Sequence, residues 1–282
     1  MRMRTADFGP KWLPVPVVGQ GTWNLEHDDR RAAVAALRAG IDAGMTHIDT
    51  AELYGSGRVE RIVARAIEGR RDELFLVSKV LPTNAGYAQT LAACERSLER
   101  LGTDYLDLYL LHWRGRVPLA ETIRALEKLE ADGKIRAYGV SNFDVDDLEE
   151  AVGIAGAGRI VCNQVLYHLQ ERSIEHAVIP WCAEREIAVV AYSPFGSGRF
   201  PAAASAGGEA LAQVAAAHGA GVHAVALAFL VERGRVFAIP KAARIEHALE
   251  NAAAGSLELT PAQLETIDRA FPPKRRRGLA MI

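Results

Sequence analysis

Short apolar runs rich in β-branched residues alternate with helix-like segments along the whole chain. The eight runs read VPVVGQGTW, HID, ELFLVSK, YLDLYLLH, IRAYGVSN, RIVCNQV, IAVVAYS and VFAIPK. They lack strict apolar–polar alternation, which predicts strands buried on both faces of a parallel sheet. No Pro-, Gly- and Ser-rich linker divides the chain. Eight strand–helix units predict an α/β fold with a single domain, a (β/α)8 barrel over residues 1–282.

The segments between the runs carry helix start and stop signals. Asp28 is predicted to cap a helix that places Val34, Leu37 and Ile41 on one face and ends before Gly44. The same spacing recurs before Gly102 at Leu91, Cys94, Leu98 and Leu101. At the chain ends, RTADFGPKWLPVP predicts an N-terminal β-hairpin that closes the barrel floor, and FPPKRRRGLAMI predicts a short C-terminal tail.

A doubly wound sheet uses the same alternation of strands and helices and often binds nucleotides. The glycines argue against it. The segments GQGTWN and GSGRVE each offer only a Gly-x-Gly fragment, without the third glycine and the acidic partner of a dinucleotide fingerprint.

Composition excludes several classes of partner. A net charge of −2 and a pI near 6.5 over 282 residues provide no excess positive field for nucleic acid or a membrane surface, so we expect a small-molecule partner. The basic run KRRR at 274–277 is interpreted as a solvated tail. The run AVALAFLV is too short to span a bilayer. The cysteines Cys94, Cys162 and Cys182 are predicted to be reduced thiols in a cytoplasmic protein.

Polar residues close the apolar runs, where a barrel would place its chemistry. They are predicted to converge on one mouth, and they are Trp23, Asp49, Lys79, His112, Ser141, Asn142, Asn163, Gln164, Tyr192, Ser193 and Lys241. A charged residue is rarely buried at a barrel rim without a partner, so Asp49 and Lys79 are predicted to form an ion pair beside Tyr54. His218 and His223 lack carboxylate or cysteine neighbours in sequence, and no metal site is predicted.

This set of residues predicts acid catalysis on a carbonyl group. A tyrosine with an ordinary pKa of about 10 is a poor acid near neutral pH unless a cation stabilises its phenolate, and Lys79 would supply that charge to Tyr54. Asp49 would hold Lys79, and His112 would hydrogen-bond the substrate oxygen. No nucleophilic serine, cysteine or metal cluster is evident, so hydride from a nicotinamide would complete the reaction.

The residues carry a resemblance to the aldo-keto reductase family along nearly the whole chain. The motifs GMTHIDTAELYGSG, LVSKV, LDLYLLHW, YGVSNF, NQVLYH, AYSPFGSG and IPK follow one another at compatible spacings. The resemblance implies a (β/α)8 barrel that binds NADP(H), or less often NAD(H), and it implies catalytic roles for Asp49, Tyr54, Lys79 and His112. It also implies cofactor contacts from Ser141, Asn142, Gln164, Tyr192, Ser193, Phe195, Ser197, Lys241, Glu250 and Asn251.

Two positions depart from the family's adenosine-binding motif. Ala242 and His247 stand where a serine or threonine and an arginine are usual, and Arg244 is predicted to replace the missing contact to a 2′-phosphate. NADPH is therefore the expected cofactor, with NADH as the alternative. Trp23 and Trp113 are predicted to wall the substrate pocket.

Short loops, as in HWRGRVPLAET, make the chain similar to reductases of small aldehydes and 2-oxoaldehydes, of which methylglyoxal reductases are examples. The short tail predicts an open pocket. The predicted activity is reduction of aldehydes or ketones. Two alternatives remain open, a slow-turnover sensory subunit that binds nicotinamide and an NAD(H)-dependent dehydrogenase that oxidises alcohols. The sequence specifies no oligomeric state.

Overall fold

The computed structural model describes residues 3–9, 14–275 and 278–282. The strands in this part of the chain are β1 Thr5–Asp7, β2 Pro14–Pro16, β3 Gln20–Gly21, β4 His47–Asp49, β5 Phe75–Val80, β6 Leu108–Leu111, β7 Tyr138–Ser141, β8 Ile160–Leu166, β9 Ala188–Tyr192 and β10 Val236–Ala238. The α-helices are α1 Arg30–Asp42, α2 Arg58–Ile67, α3 Tyr87–Leu101, α4 Leu119–Ala131, α5 Val145–Ala155, α6 Val178–Glu184, α7 Ala206–His218, α8 Val222–Val231, α9 Ile245–Ala254 and α10 Pro261–Ala270.

Strands β3 to β10 form one parallel sheet in which each strand pairs with its neighbours in chain order. The sheet closes on itself because Gly19 N donates to Ala238 O at 2.8 Å and Gly21 N donates to Pro240 O at 3.0 Å. Helices separate the strands, and the apolar side chains between helices and sheet form the main core. The predicted (β/α)8 barrel is confirmed, and each apolar run supplies one of its strands.

The start of α1 differs from the prediction. Asp29 rather than Asp28 caps this helix, since its Oδ1 accepts a hydrogen bond from Ala32 N at 2.8 Å. Asp28 instead closes the preceding 3₁₀ turn, Leu25–His27. The predicted end of α3 is confirmed, because Gly102 adopts a left-handed conformation with φ of 67° just beyond Leu101.

The N-terminal segment pairs as a hairpin beneath the barrel, as predicted. β1 and β2 are antiparallel, with Thr5 opposite Pro16; residues 10–13 of the predicted hairpin lie outside the described residues. Phe8 follows β1 and is fully buried, and its ring contacts the rings of His47, Phe75 and Phe237. The hairpin therefore seals the end of the barrel opposite the carboxyl ends of the strands. The predicted tail follows α10, and residues 276–277 of it also lie outside the described part.

His47 is a buried ionisable group in this floor. Its side chain is fully buried at the start of β4, and within the described part of the chain neither ring nitrogen has a hydrogen-bond partner. Burial, and secondarily the charge of Lys79, lower the pKa of His47 from 6.5 to about 3. The imidazole is thus neutral in the folded chain over the pH range in which it takes up a proton when unfolded.

This difference predicts acid sensitivity that originates in the barrel floor. Because the unfolded chain binds the proton near pH 6.5 and the folded chain only near pH 3, the contribution of His47 to stability falls as pH falls through this window. At pH 5 the loss is expected to be about 2 kcal/mol. His47→Phe keeps a ring among the aromatic neighbours but has no proton-binding group. Between pH 7 and pH 5 its free energy of unfolding is expected to fall by about 2 kcal/mol less than that of wild type. Urea unfolding at both values measures the difference, and equal losses in the two proteins would contradict the prediction.

Within the described residues, no single helix is long and apolar enough to cross a membrane. Helices α7 and α8 taken together have the length and apolar composition of a membrane span, but the chain bends by 94° between them. Helix α8 is buried along nearly its whole length in the barrel core. Its apolar surface is therefore used in packing.

Candidate active site

The carboxyl ends of the strands open onto one cavity of about 720 Å³. Its walls include most of the predicted site residues, namely Trp23, Asp49, Tyr54, His112, Trp113, Ser141, Asn142, Gln164, Tyr192, Ser193, Phe195, Ser197 and Lys241. Asn163, which was predicted to reach the same mouth, is instead fully buried and donates to Phe143 O at 2.9 Å. The cavity has the size of a small-molecule site. Convergence of these side chains follows from the parallel register of the sheet, which brings all strand ends to the same face of the barrel.

An ion pair lies beneath the cavity. Lys79 Nζ is 2.6 Å from Asp49 Oδ1, and both side chains are almost wholly buried, at 0% and 1% exposure. Lys79 also donates to Thr50 O at 2.9 Å, while Gln164 Nε2 donates to Asp49 Oδ2 at 2.7 Å. Both carboxylate oxygens are thus engaged. Burial opposes the charge on Lys79, but Asp49 and Tyr54 raise the pKa of Lys79 above its ordinary value, so the ammonium persists.

Tyr54 connects this ion pair to the cavity. Lys79 Nζ lies 3.2 Å from the phenolic oxygen of Tyr54. The side chain stands on a 3₁₀ turn, Tyr54–Gly57, that leads directly into α2. Gly55 and Ser56 have φ near 54° in this turn. A side chain on Gly55 would also press against Glu26, so the backbone after the tyrosine requires glycine.

The pKa of Tyr54 differs from the sequence-based expectation in its net direction. Burial raises it above the ordinary value of 10, and the Lys79 charge lowers it only in part. The hydroxyl therefore keeps its proton at neutral pH. A hydroxyl that is protonated at rest, beside a cation that favours its anion, is suited to give up a proton when a neighbouring oxygen gains negative charge.

His112 lies beside the tyrosine at the end of β6. The two rings have centroids 5.8 Å apart and are nearly perpendicular, at 76°. Burial, and then the charge of Lys79, lower the pKa of His112 to about 2. The imidazole is therefore neutral at physiological pH and carries one N–H donor. Its Nδ1 is buried without a hydrogen-bond partner in the described residues.

Hydrogen bonds join the polar side chains at the ends of β7, β8 and β9. Asn142 Nδ2 donates to His112 O at 3.0 Å and to Ser141 Oγ at 3.2 Å, and its Oδ1 accepts from Tyr192 OH at 2.8 Å. Since one N–H of the Gln164 amide donates to Asp49, Gln164 can offer a cofactor its second N–H and its carbonyl oxygen. The structure thus connects the predicted cofactor residues to the Asp49–Lys79 ion pair.

The backbone around the cavity is strained. Six non-glycine residues have positive φ in the described chain, and four of them line the cavity, namely Asn24, Asn142, Ser193 and Ser197. In the loop after β9, Ser197 Oγ donates to Ser193 Oγ at 3.0 Å. Such conformations persist where surrounding contacts enforce them, and they concentrate at functional sites.

Lys241 separates the central cavity from a second one of about 350 Å³. The second cavity is lined by Asp28, Asp29, Ala32, Lys241, Ala242, Ala243, Arg244 and His247. It therefore contains the two positions at which the adenosine motif departs from its usual pattern. Glu250 and Asn251 line neither cavity: Asn251 is buried within α9, and Glu250 Oε1 lies 3.6 Å from His223 Nδ1.

Comparison with known proteins decides the family. Residues 17–271 match the model of the aldo/keto reductase family. The methylglyoxal reductase YeaE of Escherichia coli is 46% identical over 273 residues, covering 96% of each chain. The glyoxal reductase of Bacillus subtilis is 39% identical over 256 residues, covering 91% of this chain and 89% of its own. The chain belongs to the aldo/keto reductase family.

Solved structures agree with this assignment. An aldo/keto reductase from Klebsiella pneumoniae in complex with NADP and acetate superposes with a TM-score of 0.93 at 46% identity, covering 99% of this chain and 100% of the other. A structure of an aldo-keto reductase from the same organism in complex with NADPH gives the same score and identity, with full coverage of both chains. This aldo/keto reductase is thus an NAD(P)H-dependent oxidoreductase.

Sequence reasoning missed part of the reductase's cavity wall. Met281 and Ile282 reach back from the tail to line it. The tail therefore forms part of the pocket wall, and the open pocket predicted from its short length stays a prediction. Leu53, one residue before the tyrosine, is 40% exposed and adds an apolar wall. The alternation of strands and helices in the sequence holds no signal for either contribution.

The two histidines considered as metal ligands have other contacts. His218 Nε2 hydrogen-bonds Gln263 Oε1 at 3.0 Å, and the ring of His223 stacks on Phe200 with centroids 4.2 Å apart. Among the described residues of the reductase, no group of three or more histidine, cysteine, aspartate or glutamate side chains is arranged to hold a metal ion.

Proposed function

We propose that this reductase uses NADPH to reduce aldehydes and ketones, with small 2-oxoaldehydes such as methylglyoxal and glyoxal as good substrates, and that Tyr54 is the proton donor. The observation that carries the proposal is the continuous contact from Asp49 through Lys79 to the Tyr54 hydroxyl at the cavity surface. A carbonyl oxygen placed there meets a proton donor with a buried cation behind it.

The walls of the cavity support a small substrate. Trp23, Leu53 and Trp113 provide apolar surface around the tyrosine, and Met281 and Ile282 limit the space on one side. A volume of about 720 Å³ must hold both the nicotinamide end of the cofactor and the carbonyl compound. The names of the curated relatives, a methylglyoxal reductase and a glyoxal reductase, point to the same class of substrate.

The two cavities fit a nicotinamide dinucleotide. The central cavity has the tyrosine side chain of Tyr192 as one wall, and the second cavity has the cations Lys241 and Arg244 beside it. We assign the nicotinamide end to the first and the adenosine 2′-phosphate to the second, with Ser141, Asn142 and Gln164 serving the carboxamide. Positively charged hydrogen-bond donors are the groups that bind a phosphate most strongly. Two neighbouring structures that contain NADP or NADPH support this choice of cofactor.

The chain's own residues then act on the substrate oxygen. The bound cofactor supplies hydride to the carbonyl carbon. Tyr54 gives its proton to the oxygen, and Lys79 stabilises the tyrosinate that remains. Neutral His112 donates its N–H to the same oxygen and orients the substrate, and Asp49 holds Lys79 in position. Because the pKa of His112 is about 2, its contribution does not titrate near neutral pH.

A cytoplasmic location remains a prediction. It is supported by Cys94, Cys162 and Cys182, which are all buried free thiols and which suit a reducing compartment.

The proposal is tested by following NADPH oxidation with purified protein and a panel of carbonyl compounds. The panel contains methylglyoxal, glyoxal, simple aldehydes, ketones and sugars, with NADH in parallel. We expect turnover with NADPH and the highest kcat/KM among small 2-oxoaldehydes and aldehydes. Tyr54→Phe protein prepared in the same way gives the background. If no carbonyl compound consumes NADPH above that background, the proposed activity is wrong.

A further inference from the structure

An ion pair spans the boundary between the two cavities. Lys241 Nζ contacts the carboxylate of Asp28, and the two side chains are 35% and 32% exposed. Lys241 follows β10, whereas Asp28 belongs to the segment between β3 and α1, so the pair joins the two ends of the closed sheet. A pair exposed to this degree contributes at most about 1 kcal/mol to stability. Its position on a cavity wall is therefore its more consequential property.

The neighbouring residues Asp28 and Asp29 have different hydrogen-bond partners. Asp29 Oδ1 accepts from Ala32 N and thereby caps α1, so this carboxylate serves the helix. Among the described residues, the carboxylate of Asp28 caps no helix and instead contacts Lys241 at the wall of the second cavity. Arg244 and His247 line the same cavity. A negative charge consequently stands beside the cations that we assign to the 2′-phosphate.

We propose that Asp28 is a specificity-determining residue that weakens the reductase's preference for NADPH over NADH. This inference rests on the proposed assignment of the 2′-phosphate to the second cavity. A 2′-phosphate must share Lys241 with the Asp28 carboxylate and is repelled by it. The ribose of NADH carries a hydroxyl at that position, and a carboxylate is the acceptor that nicotinamide enzymes use for this hydroxyl. The same side chain therefore opposes one cofactor and suits the other.

Two departures from the family motif act in the same direction. Ala242 has no hydroxyl to offer a phosphate, and His247 replaces a permanent cation with an imidazole. The charge balance at the second cavity consequently depends on Lys241 and Arg244 against the nearby carboxylates. Removing the Asp28 charge releases Lys241 for the phosphate without altering the volume of the side chain.

Asp28→Asn tests the inference directly, with Asp29→Asn as the matched control. Asparagine retains the helix cap at position 29, so the control removes a charge from the same cavity while the fold is kept. The Kd values of NADPH and NADH are measured by quenching of tryptophan fluorescence, since Trp23 and Trp113 line the central cavity. We expect Asp28→Asn to tighten NADPH about tenfold and to leave NADH unchanged or weaker. Asp29→Asn is expected to change either Kd by less than about threefold.

The effect of salt gives a second readout. If Asp28 competes for Lys241, the affinity of Asp28→Asn for NADPH should depend more steeply on ionic strength than that of wild type, because one more charge contact is available to the phosphate. Weaker or unchanged NADPH binding in Asp28→Asn, or equal effects of the two asparagine variants, would overturn the inference. Lys241→Met and Arg244→Ala separate this failure from failure of the cofactor assignment. If they weaken NADPH binding and spare NADH, the phosphate site stands without the role of Asp28; if they change neither Kd, the assignment itself is wrong.

Discussion

Replacing Tyr54 with phenylalanine is expected to lower kcat by about 10²- to 10⁴-fold while the Kd of NADPH changes by less than about twofold. The substitution removes one oxygen atom and keeps the ring that packs at a right angle to His112. The proton donor is lost, but the contacts assigned to the cofactor remain. Steady-state kinetics with methylglyoxal and fluorescence titration with NADPH measure the two quantities. Tyr87→Phe is the control, because its ring contact with Arg124 on the outer helices survives the change.

Substitutions in the buried Asp49–Lys79 ion pair extend this test. Lys79→Met should lower kcat to a similar extent, since it removes the cation behind the hydroxyl and leaves the Asp49 carboxylate buried without its partner. Asp49→Asn should be milder, because the cation stays beside the tyrosine. Turnover of Tyr54→Phe close to that of wild type would refute the assignment of the acid. If Asp49→Asn were the most damaging of the three, Asp49 would take a direct part in the reaction.

Loss of the Arg172 guanidinium is expected to destabilise the protein by about 3 to 5 kcal/mol. Arg172 is 1% exposed and donates to both oxygens of Glu175, at 2.7 and 2.9 Å, and to Asp268 at 2.6 Å. It also donates to Phe271 O at 2.5 Å. These contacts attach the loop after β8 to α10 and the residue that follows it. Arg172→Met would remove the donor to Phe271 O and would leave Arg233 as the remaining cation beside Glu175 and Asp268, which would loosen the helix that precedes the tail.

Urea or thermal unfolding of Arg172→Met measures this effect. Lys128→Met is the control, since its partner Asp132 follows the last residue of α4 and both side chains are about half exposed, at 50% and 43%. Loss of that surface pair should cost less than about 0.5 kcal/mol. If the two variants lost similar amounts of stability, the buried network would contribute no more than a surface pair. The tail of Arg172→Met should also become more sensitive to proteolysis, because it is anchored through α10.

The order of strands and helices could be predicted from the sequence because it depends on local pattern. Apolar runs buried on both faces identify parallel strands, and the turn residues between them identify the loops. The parallel register then makes the strand ends meet, so Asp49, Lys79 and His112 could be placed on one mouth before any coordinates existed. Tyr54 could be added because it follows Asp49 by five residues on the way into a helix.

The hydrogen-bond and ion-pair partners of the polar groups could be identified only from the folded structure. The sequence assigned the amide of Gln164 to a cofactor, but its nitrogen donates to Asp49, 115 residues away. It assigned the helix cap to Asp28, and the neighbouring carboxylate takes that place while Asp28 pairs with Lys241, 213 residues away. Two adjacent aspartates are equivalent in a propensity argument. They differ only in the direction that the folded backbone gives to each side chain.

The charge states at the site and the composition of the cavity wall were also determined partly by the sequence and partly by the tertiary structure. The sequence correctly placed a cation beside Tyr54, and it determined the kinds of charge at the strand ends. The net direction of the pKa of Tyr54 depends on burial, which exceeds the effect of that cation, and burial is a property of the complete barrel. Met281 and Ile282 line the cavity although they follow α10, whose last turn is tied by Arg172 to the loop after β8. Local pattern thus determined the barrel and the polar residues at its mouth, while long-range packing decided the partners of these residues, their charge states and the contribution of the tail to the pocket wall.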